Sequence, residues 1–470
     1  MGQAQVVPPI PSFRDPGGAL VRRGGRILRA LNPDGAANLQ AFLNTRAARE
    51  AMERGKLVRS APADRAEFPE IEAHSLIEHE RIPFSSYPYE WPPEMLHAAG
   101  ELTIELARAS LPENFGIKDA SPYNVLFRGA EPVFVDVLSF EPREPLDCAW
   151  RAYAQFARTF LLPLLAGREF GLTPDRALLA QRDGLEPETL YRWAGWRRWS
   201  PRFLGLVTLP KLMSGGESES TYRPREARSP EQARFIVDGL LASCARNLKR
   251  LRPRPASSGW TDYLHAKSLY SPQELAQKDA FVREALELAR PSAVLDVGAN
   301  EGQFSFLAAA SGARVVAIDS DPAVVGATWR KASAERLNVL PLVVDLARPT
   351  PATGWRNQEC DSFLERARGE FGLVMMLAVI HHLLVTERVP LEDLLNLVAE
   401  ITREYALIEF VAAEDPMFGR IVRGREALYA HVTRDRFEAA AAARFEVMRS
   451  ARIGGLHRWI YLFRKRRAAN

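Results

Sequence analysis

The chain has 470 residues, 47% of them hydrophobic, which suffices for two or three folded domains and argues against global disorder. Its 62 basic and 58 acidic residues nearly cancel, and the net charge of +4 argues against a protein built chiefly to hold nucleic acid. Cys148, Cys244 and Cys360 are widely spaced and odd in number. We therefore expect a reducing compartment, with neither a disulfide framework nor a zinc site.

Targeting signals are the next feature that the sequence allows us to judge. The first 16 residues contain four prolines and no apolar core, a pattern that does not fit a signal peptide. The longest apolar run, 373–380, is far shorter than the roughly 20 residues that a membrane helix needs. We therefore predict a cytoplasmic protein with no membrane partner.

The N-terminal half is predicted to combine short strands with helices. Residues 1–17 are expected to form a loose arm. The pattern then predicts a hairpin over 20–31, a turn and helix over 32–56, a rigid aromatic loop over 87–93, an amphipathic helix over 94–109, and a second hairpin over 125–136.

The second hairpin carries a polar motif. Asp119 and Asn124 have the Asp-x4-Asn spacing of a kinase catalytic loop, and Asp136 ends the next strand. Residues 116–140 therefore resemble the core of a protein-kinase-like domain, which implies Asp119 as base and Asn124 and Asp136 as magnesium ligands. No histidine opens the motif, and Val137-Leu138 replaces Phe-Gly. These departures favour a degenerate scaffold that binds the acceptor; alternatively, Asp119 simply caps a turn.

Residues 150–250 are predicted to be mainly helical. Trp193, Trp196 and Trp199 recur every three residues there, and we interpret them as a helix stripe packed in a core or against the other domain; a base-stacking platform is the alternative. The stretch 250–259 is rich in arginine, proline and serine and is predicted to be a linker. We thus place one domain at 1–250 and another at 256–470.

After the linker, strands and helices alternate. Fully apolar strands separated by helices predict a doubly wound, mostly parallel α/β sheet of seven strands, closed by an antiparallel hairpin. The predicted helices are 275–289, 304–310, 322–336 and 391–403; the predicted strands are 293–297, 314–319, 340–345, 373–378, 406–411, 445–449 and 458–463.

Three of these strands end on acidic residues, at the edge where open α/β sheets bind ligands. Asp296 opens a turn containing Gly298, Asn300 and Gly302, and Asp319 follows 17 residues after Gly302. An acid at that spacing suits the ribose hydroxyls of a nucleotide and would repel a 2′-phosphate. Asp345 ends the third strand. Each acid has an alternative interpretation as a turn or helix cap.

Residues 265–470 resemble the class I, Rossmann-like methyltransferases that use S-adenosyl-L-methionine. An acid before a glycine-rich turn is that family's first motif, although Asn300 stands where glycine is more usual. The resemblance implies S-adenosyl-L-methionine as cofactor and no metal. It implies that the following residues contact the cofactor: Asp296, Gly298, Asn300, Gly302, Asp319, Ser320, Asp345, Leu346 and Ala378.

Three further residues are candidates for catalysis. His381 and His382 follow the fourth strand, where the acceptor would lie, and histidine suits proton transfer near neutral pH. Alternatively, they pack under the cofactor loop. Glu409 lies inside an apolar strand, where a carboxylate needs a partner; it is expected to orient a histidine, bind substrate or pair with an arginine such as Arg356.

The favoured function is methyl transfer to a small-molecule or glycan-like acceptor at oxygen or nitrogen, without nucleic acid as partner. A kinase-like phosphotransferase or nucleotide-binding scaffold with a regulatory methyltransferase domain is the second hypothesis, and an RNA methyltransferase the third. The whole arrangement loosely resembles bacterial nodulation-type methyltransferase proteins.

Overall fold

The computed structural model describes residues 15–213, 226–255 and 270–467. Most of the predicted N-terminal arm and the second part of the predicted linker lie outside these ranges. The chain divides into two compact units: unit 1 comprises 1–254 together with 353–360, and unit 2 comprises 255–352 and 361–470. The boundaries predicted from the sequence placed the eight residues 353–360 in the second domain, whereas they belong to unit 1.

Unit 1 contains a four-stranded antiparallel sheet in the order β1-β2-β4-β3. The predicted first hairpin is confirmed by the antiparallel pairing of β1 with β2. Gly24 and Gly25 form its turn, and both have the positive φ that a tight turn between right-twisted strands requires. The second hairpin is confirmed as well. The strands of unit 1 are β1 Gly18–Arg23, β2 Arg26–Leu31, β3 Ser60–Ala63, β4 Ser75–His79, β5 Phe115–Ile117, β6 Val125–Arg128, β7 Glu131–Phe134 and β8 Phe140–Pro142.

The rest of unit 1 is mainly helical, as predicted. The long helix α3 is buried along most of its length and packs against α10. The predicted helix at 32–56 is two helices, each begun by a side-chain cap from Asn32 or Thr45. The helices are α1 Pro33–Leu43, α2 Arg46–Glu53, α3 Pro93–Ser110, α4 Tyr153–Phe156, α5 Leu162–Phe170, α6 Pro174–Ala180, α7 Pro187–Ala194, α8 Pro201–Phe203, α9 Leu209–Met213 and α10 Pro230–Leu251.

The interpretation of the three tryptophans as a core stripe is wrong. Trp196 is 84% exposed, and Trp193 and Trp199 are about half exposed. Trp196 and Trp199 lie in a 3-10 helix, Gly195–Trp199, of which no residue is buried. The apolar interior of this region is filled instead by Leu190, Ala194, Phe203, Leu206 and Val207.

Unit 2 is built on a seven-stranded sheet in the order β11-β10-β9-β12-β13-β15-β14. The first five of these strands are parallel, and β15 runs antiparallel between β13 and β14. This confirms the predicted α/β sheet with an antiparallel closing hairpin. The strands are β9 Ala293–Val297, β10 Arg314–Asp319, β11 Val339–Val343, β12 Phe371–Met376, β13 Thr402–Val411, β14 Phe445–Arg452 and β15 Arg458–Lys465.

Helices connect the parallel strands, as parallel pairing requires. A further helix precedes β9 and begins with a capping box at Ser271 and Glu274. The helices of unit 2 are α11 Pro272–Ala289, α12 Gln303–Ala310, α13 Pro322–Glu335, α14 Phe363–Ala367, α15 Ile380–Val385, α16 Leu391–Ile401, α17 Pro416–Val422, α18 Glu426–Tyr429 and α19 Arg434–Ala442. Among the described residues, no helix combines the length and apolar composition needed to cross a membrane.

Candidate functional site at the carboxyl ends of the parallel strands

The turn from β9 into α12 is built around two glycines. Gly298 and Gly302 have φ values of +68° and +79°, which residues with a side chain rarely adopt. A Cβ atom at Gly298 would lie 2.8 Å from Val379 Cγ2, and one at Gly302 would lie 2.8 Å from Thr328 Cγ2. Both positions therefore require glycine, and the turn keeps a bare backbone that a ligand can approach closely.

Asp319 ends β10 and is bound to this turn. Its Oδ2 atom accepts a hydrogen bond from the Asn300 backbone N–H at 3.0 Å, and its Oδ1 atom accepts one from the Asp321 N–H at 3.0 Å. Burial raises the pKa of the carboxyl, while these donors oppose the shift. A carboxylate offers about four lone-pair sites. Asp319 therefore keeps accepting capacity, and within the described ranges no cation forms an ion pair with it.

Asn300 itself has positive φ (+50°), a conformation that asparagine tolerates better than most residues. Its carbonyl accepts a hydrogen bond from Thr328 Oγ1 at 2.9 Å, which fixes the turn against α13. Its buried Oδ1 atom has no hydrogen-bond partner in the described protein. An unpartnered buried acceptor is costly, so it marks a place where a donor from a ligand would be stabilising.

Asp296 lies beneath the turn, 3% exposed, and accepts a hydrogen bond from Ser305 Oγ at 2.6 Å. Burial raises the pKa of this carboxyl to about 7, although Ser305 and the Lys278 cation both act to lower it. The protonated form of Asp296 is therefore favoured in the folded protein compared with an exposed aspartate. A cationic group arriving nearby would favour the ionised form.

Asp345 follows β11, and its contacts are local. Its Oδ1 atom accepts a hydrogen bond from the Ala347 N–H at 2.9 Å, and its Oδ2 atom lies 2.7 Å from Arg348 Nη2. These are the contacts expected if Asp345 caps the turn that follows it. The Val344 N–H donates to the Asp319 carbonyl at 2.9 Å, so this strand end does adjoin that of β10. A role for Asp345 in cofactor binding stays a prediction.

The remaining predicted cofactor residues lie on the same edge of the sheet. Ser320 lies directly after Asp319, and its backbone N–H is one of the groups that hold the pKa of that carboxyl down. Leu346 is buried next to Asp345. Ala378 follows β12 with φ +58°, an unfavourable value for alanine, in the loop whose Val379 abuts Gly298.

The two histidines lie at the start of α15 with ring centroids 4.3 Å apart. His381 is 4% exposed, and its Nδ1 atom has no hydrogen-bond partner in the described protein. Burial, together with His382, Arg458 and Lys278, holds the pKa of His381 well below its ordinary value. Burial lowers the pKa of His382 as well. Both rings are therefore neutral at neutral pH.

Glu409, in β13, is fully buried within a group of charged side chains. Tyr270 Oη donates a hydrogen bond to Oε1 at 2.5 Å, and Lys278 Nζ lies 2.7 Å from Oε2. Arg458 Nη1 lies 3.9 Å from Oε1, and the same guanidinium forms a bidentate pair with Asp415 at 2.8 and 3.0 Å. The expectation that a buried glutamate needs a partner is confirmed.

The identity of that partner was not anticipated. Arg356, named from the sequence, is exposed and is not among the residues that contact Glu409 in the described protein, so that suggestion is wrong. The signal for Lys278 was present: it occupies the same helical stripe as Phe281, Val282 and Ala285, at spacings of three, four and seven residues. A lysine inside an apolar stripe indicates a buried anionic partner. Tyr270 and Arg458 gave no comparable signal.

Unit 1 also brings its predicted polar motif together. Asn124 Nδ2 donates to the Asp119 carbonyl and to Ser139 Oγ, both at 3.0 Å, and Ser139 Oγ donates to Asp136 Oδ2 at 2.5 Å. Asp136 Oδ1 lies 2.9 Å from Arg29 Nη2, and Arg29 is 3% exposed. The carboxylate that the kinase resemblance assigns to magnesium is therefore paired with an arginine of the protein itself.

Asp119 also accepts hydrogen bonds from neighbouring groups of unit 1. Its Oδ1 atom accepts hydrogen bonds from Gln155 Nε2 at 2.8 Å and from the Ser121 N–H at 3.0 Å, the second of which is the predicted turn cap. Within the described ranges, no cluster of three or more His, Cys, Asp or Glu side chains has the arrangement of a metal site. The kinase-like character of unit 1 stays a prediction.

Comparison with known proteins adds one relative along the whole chain. No known family profile matches the sequence. Nodulation protein NoeA of Rhizobium meliloti (strain 1021) is 28% identical over 460 residues, which cover 97% of this chain and 95% of that protein. The similarity therefore spans both units.

Solved structures match only part of the chain. The N-methyltransferase NodS of Bradyrhizobium japonicum WM9, in complex with S-adenosyl-L-homocysteine, is 12% identical with a TM-score of 0.31, over 43% of this chain and 97% of its own. The bifunctional kinase-methyltransferase WbdD is 20% identical with a TM-score of 0.29, over 43% of this chain and 41% of its own. TM-scores this low do not by themselves establish a shared fold.

Proposed function

We propose that this protein is an S-adenosyl-L-methionine-dependent methyltransferase whose donor site is the edge of the sheet at Gly298–Gly302 and Asp319. The observation that carries the proposal is the Asp319 carboxylate, fixed at the end of β10 by the turn and still able to accept further hydrogen bonds. A vicinal diol such as that of ribose supplies two O–H donors to one such carboxylate.

The residues present fit the methyl donor at both of its ends. The ribose end suits Asp319, and the unpartnered Asn300 Oδ1 suits a further donor group. The methionine part carries a cationic ammonium group beside its carboxylate and is joined to the ribose through the cationic sulfonium, and Asp296, beneath the turn, is an acid whose ionised form a cation would favour. When bound, the donor supplies an electrophilic methyl group on its sulfonium.

The protein's part in such a reaction is mainly to position the reactants, which can contribute around 7–11 kcal/mol to lowering the barrier. An acceptor hydroxyl would also need a base. His382 is only partly buried and is the better proton acceptor of the pair, since Lys278 and Arg458 act against a charge on His381. His381 has a buried Nδ1 atom without a hydrogen-bond partner in the described protein, and we assign this atom to orienting the acceptor. Glu409 acts through the groups it holds, because its Oε1 atom accepts from Tyr270 Oη and its Oε2 atom lies 2.7 Å from Lys278 Nζ.

The acceptor is proposed to be a small-molecule or glycan-like compound, methylated at oxygen or nitrogen and bound with the help of unit 1. The near balance of 62 basic and 58 acidic residues supports this class over nucleic acid. The relative that spans both units is a nodulation protein, a description that fits a specialised acceptor without naming one.

Thermal shift assays on the full chain test this proposal. We expect S-adenosyl-L-methionine and S-adenosyl-L-homocysteine to raise the melting temperature, because ligands that bind only the folded state stabilise it by mass action. Magnesium-ATP should cause no shift, because Arg29 already pairs with Asp136. Stabilisation by magnesium-ATP alone would reject the proposal in favour of a phosphotransferase or nucleotide-binding scaffold.

A further inference from the structure

Exposed apolar side chains are concentrated in one segment of unit 1, residues 193–213. Of the seventeen large apolar side chains that are exposed within the described ranges, seven lie in these 21 residues. Soluble proteins seldom expose so many together unless the surface binds something. We call these seven the tryptophan surface: Trp193, Trp196, Trp199, Leu204, Leu209, Leu212 and Met213.

Local structure places these side chains on neighbouring elements. A 3-10 helix has three residues per turn, so Trp196 and Trp199 lie on one face of the helix Gly195–Trp199. The helix α7, which carries Trp193, contacts both this 3-10 helix and α9, which carries Leu212 and Met213. The tryptophans and the aliphatic side chains therefore belong to one packed group of short helices.

The same segment is strongly basic. Between residues 189 and 213 there are five basic residues and no acidic one: Arg192, Arg197, Arg198, Arg202 and Lys211. Glu169 pairs with both Arg197 and Arg202, and Glu188 lies 3.9 Å from Lys211. The five cations of the segment therefore outnumber the two acids in these pairs, and Arg192 is exposed beside Trp193.

We propose that unit 1 uses the tryptophan surface to bind peripherally to an anionic lipid bilayer. Tryptophan prefers the headgroup level of a membrane, aliphatic side chains enter the acyl boundary, and the excess positive charge attracts anionic headgroups. This departs from the expectation of no membrane partner, which rested on the lack of a spanning segment. It is independent of the proposed methyl transfer.

The composition of the surface selects this partner over others. RNA bases and sugar rings stack on tryptophan, but they gain little from exposed leucine and methionine side chains. A symmetric dimer would bring the same patch against its copy, so the excess charge on each chain would face like charge. A lipid surface of opposite charge satisfies the aromatic, aliphatic and basic features together.

Co-sedimentation of the full chain with vesicles tests the proposal. We expect the chain to bind vesicles containing phosphatidylglycerol and phosphatidylcholine, to bind pure phosphatidylcholine much more weakly, and to be released by salt. The variant Trp196→Ala/Trp199→Ala/Met213→Ala should bind at least tenfold more weakly. Phe235→Ala, which removes an 80% exposed aromatic ring on α10, is the matched control and should bind like the original protein.

The circular dichroism spectrum and melting temperature of each variant verify that it is folded. The variant Arg192→Gln/Arg198→Gln gives a second test, because it removes two positive charges and no apolar side chain. This charge variant should weaken binding to the anionic vesicles only. Failure of the original chain to bind anionic vesicles overturns the proposal. So does equal loss in the Phe235→Ala control. A dimer, an RNA complex or an oligosaccharide complex that the triple variant abolishes while vesicle binding persists also overturns it.

Discussion

Asp136 of unit 1 and Asp319 of unit 2 are both marked as functional by the sequence, and they differ in what their carboxylates contact. In unit 1, Asp136 is paired with the buried guanidinium of Arg29. In unit 2, Asp319 is held only by backbone N–H groups. A carboxylate neutralised by the protein's own cation supports structure, whereas Asp319, held by neutral donors, can still accept hydrogen bonds from a ligand.

The largest expected effect comes from the buried ion pairs beside the unit 2 site. Glu409→Gln leaves Lys278 and Arg458 without their shared carboxylate, and removing one partner of a buried pair costs about 3–5 kcal/mol. Chemical denaturation measures this loss. The transition to follow is the unfolding transition whose midpoint shifts when the methyl donor is added. The control is Glu446→Gln, whose pair with Arg464 is exposed and should contribute little to stability. Equal losses in the two variants would contradict the stabilising role of the buried contacts of Glu409.

The second prediction concerns the pH dependence that Asp296 confers. Because its folded-state pKa is raised to about 7 from an ordinary value near 3.8, the protonated carboxyl is favoured by folding. Its stabilising contribution is present below pH 3.8 and is lost as the pH rises through 7. Relative to Asp296→Asn, the original protein should therefore lose up to about 4 kcal/mol of unfolding free energy across that window, at about 1.4 kcal/mol per pKa unit.

Unfolding curves at several pH values, without the methyl donor, measure this difference directly. The two proteins share every other titrating group, so the subtraction isolates Asp296. Parallel pH profiles would contradict the prediction. Parallel profiles would mean that the Asp296 carboxyl ionises like that of an exposed aspartate.

In unit 1 the effect of removing an acid should be smaller and confined to stability. Asp136→Asn leaves Arg29 buried without its ion pair; since Asp136 is itself 21% exposed, we expect a loss of about 2–3 kcal/mol. The matched control is Glu78→Gln on β4, whose pair with Arg26 is more exposed, so that its loss should cost clearly less. A weaker affinity of Asp136→Asn for the methyl donor would contradict the purely structural role of Asp136.

The smallest expected free-energy change concerns His381. His381→Ala should lower turnover by about 10–100-fold, which corresponds to roughly 1.4–2.7 kcal/mol, without weakening donor binding. His381→Asn, which keeps a hydrogen-bonding group, should restore part of the activity if the ring orients the acceptor. If the two variants turn over as fast as the original protein, His381 has no part in the reaction.

The strands of unit 2 and four of its nine described helices were predicted closely from the sequence, since apolar strands alternating with helices leave few ways to pair; the short helices α14 and α15 and the three helices between β13 and β14 were not predicted. The glycine turn and Asp319 were found for the same reason: strand ends meet at one edge of a parallel sheet. Asp345 shows the limit, because a carboxylate after a strand can equally cap its own turn, and the sequence does not separate the two. The partners of Glu409 come from two segments distant from it in sequence, residues 270–278 and β15, so local patterns could not identify them.

Unit 1 was predicted less well, for a physical reason. Its elements are short, and burial there depends on contacts between distant segments rather than on periodicity. Arg29 lies in a strand read only as half of a hairpin, and nothing local indicated that it pairs with Asp136. The tryptophans recur with helical spacing, yet the interior positions are taken by other residues. Periodicity predicts that residues share a face and does not say whether that face is buried.

Calorimetric titration of S-adenosyl-L-methionine into the full chain tests the central claim most directly. We predict binding by the original protein, at least 100-fold weaker binding by Asp319→Ala, and unchanged affinity in Asp136→Ala. Circular dichroism would verify that both variants are folded. An affinity that Asp319→Ala leaves intact, or that Asp136→Ala abolishes, would contradict the assignment of the methyl-donor site to the Gly298–Gly302 turn and Asp319 of unit 2.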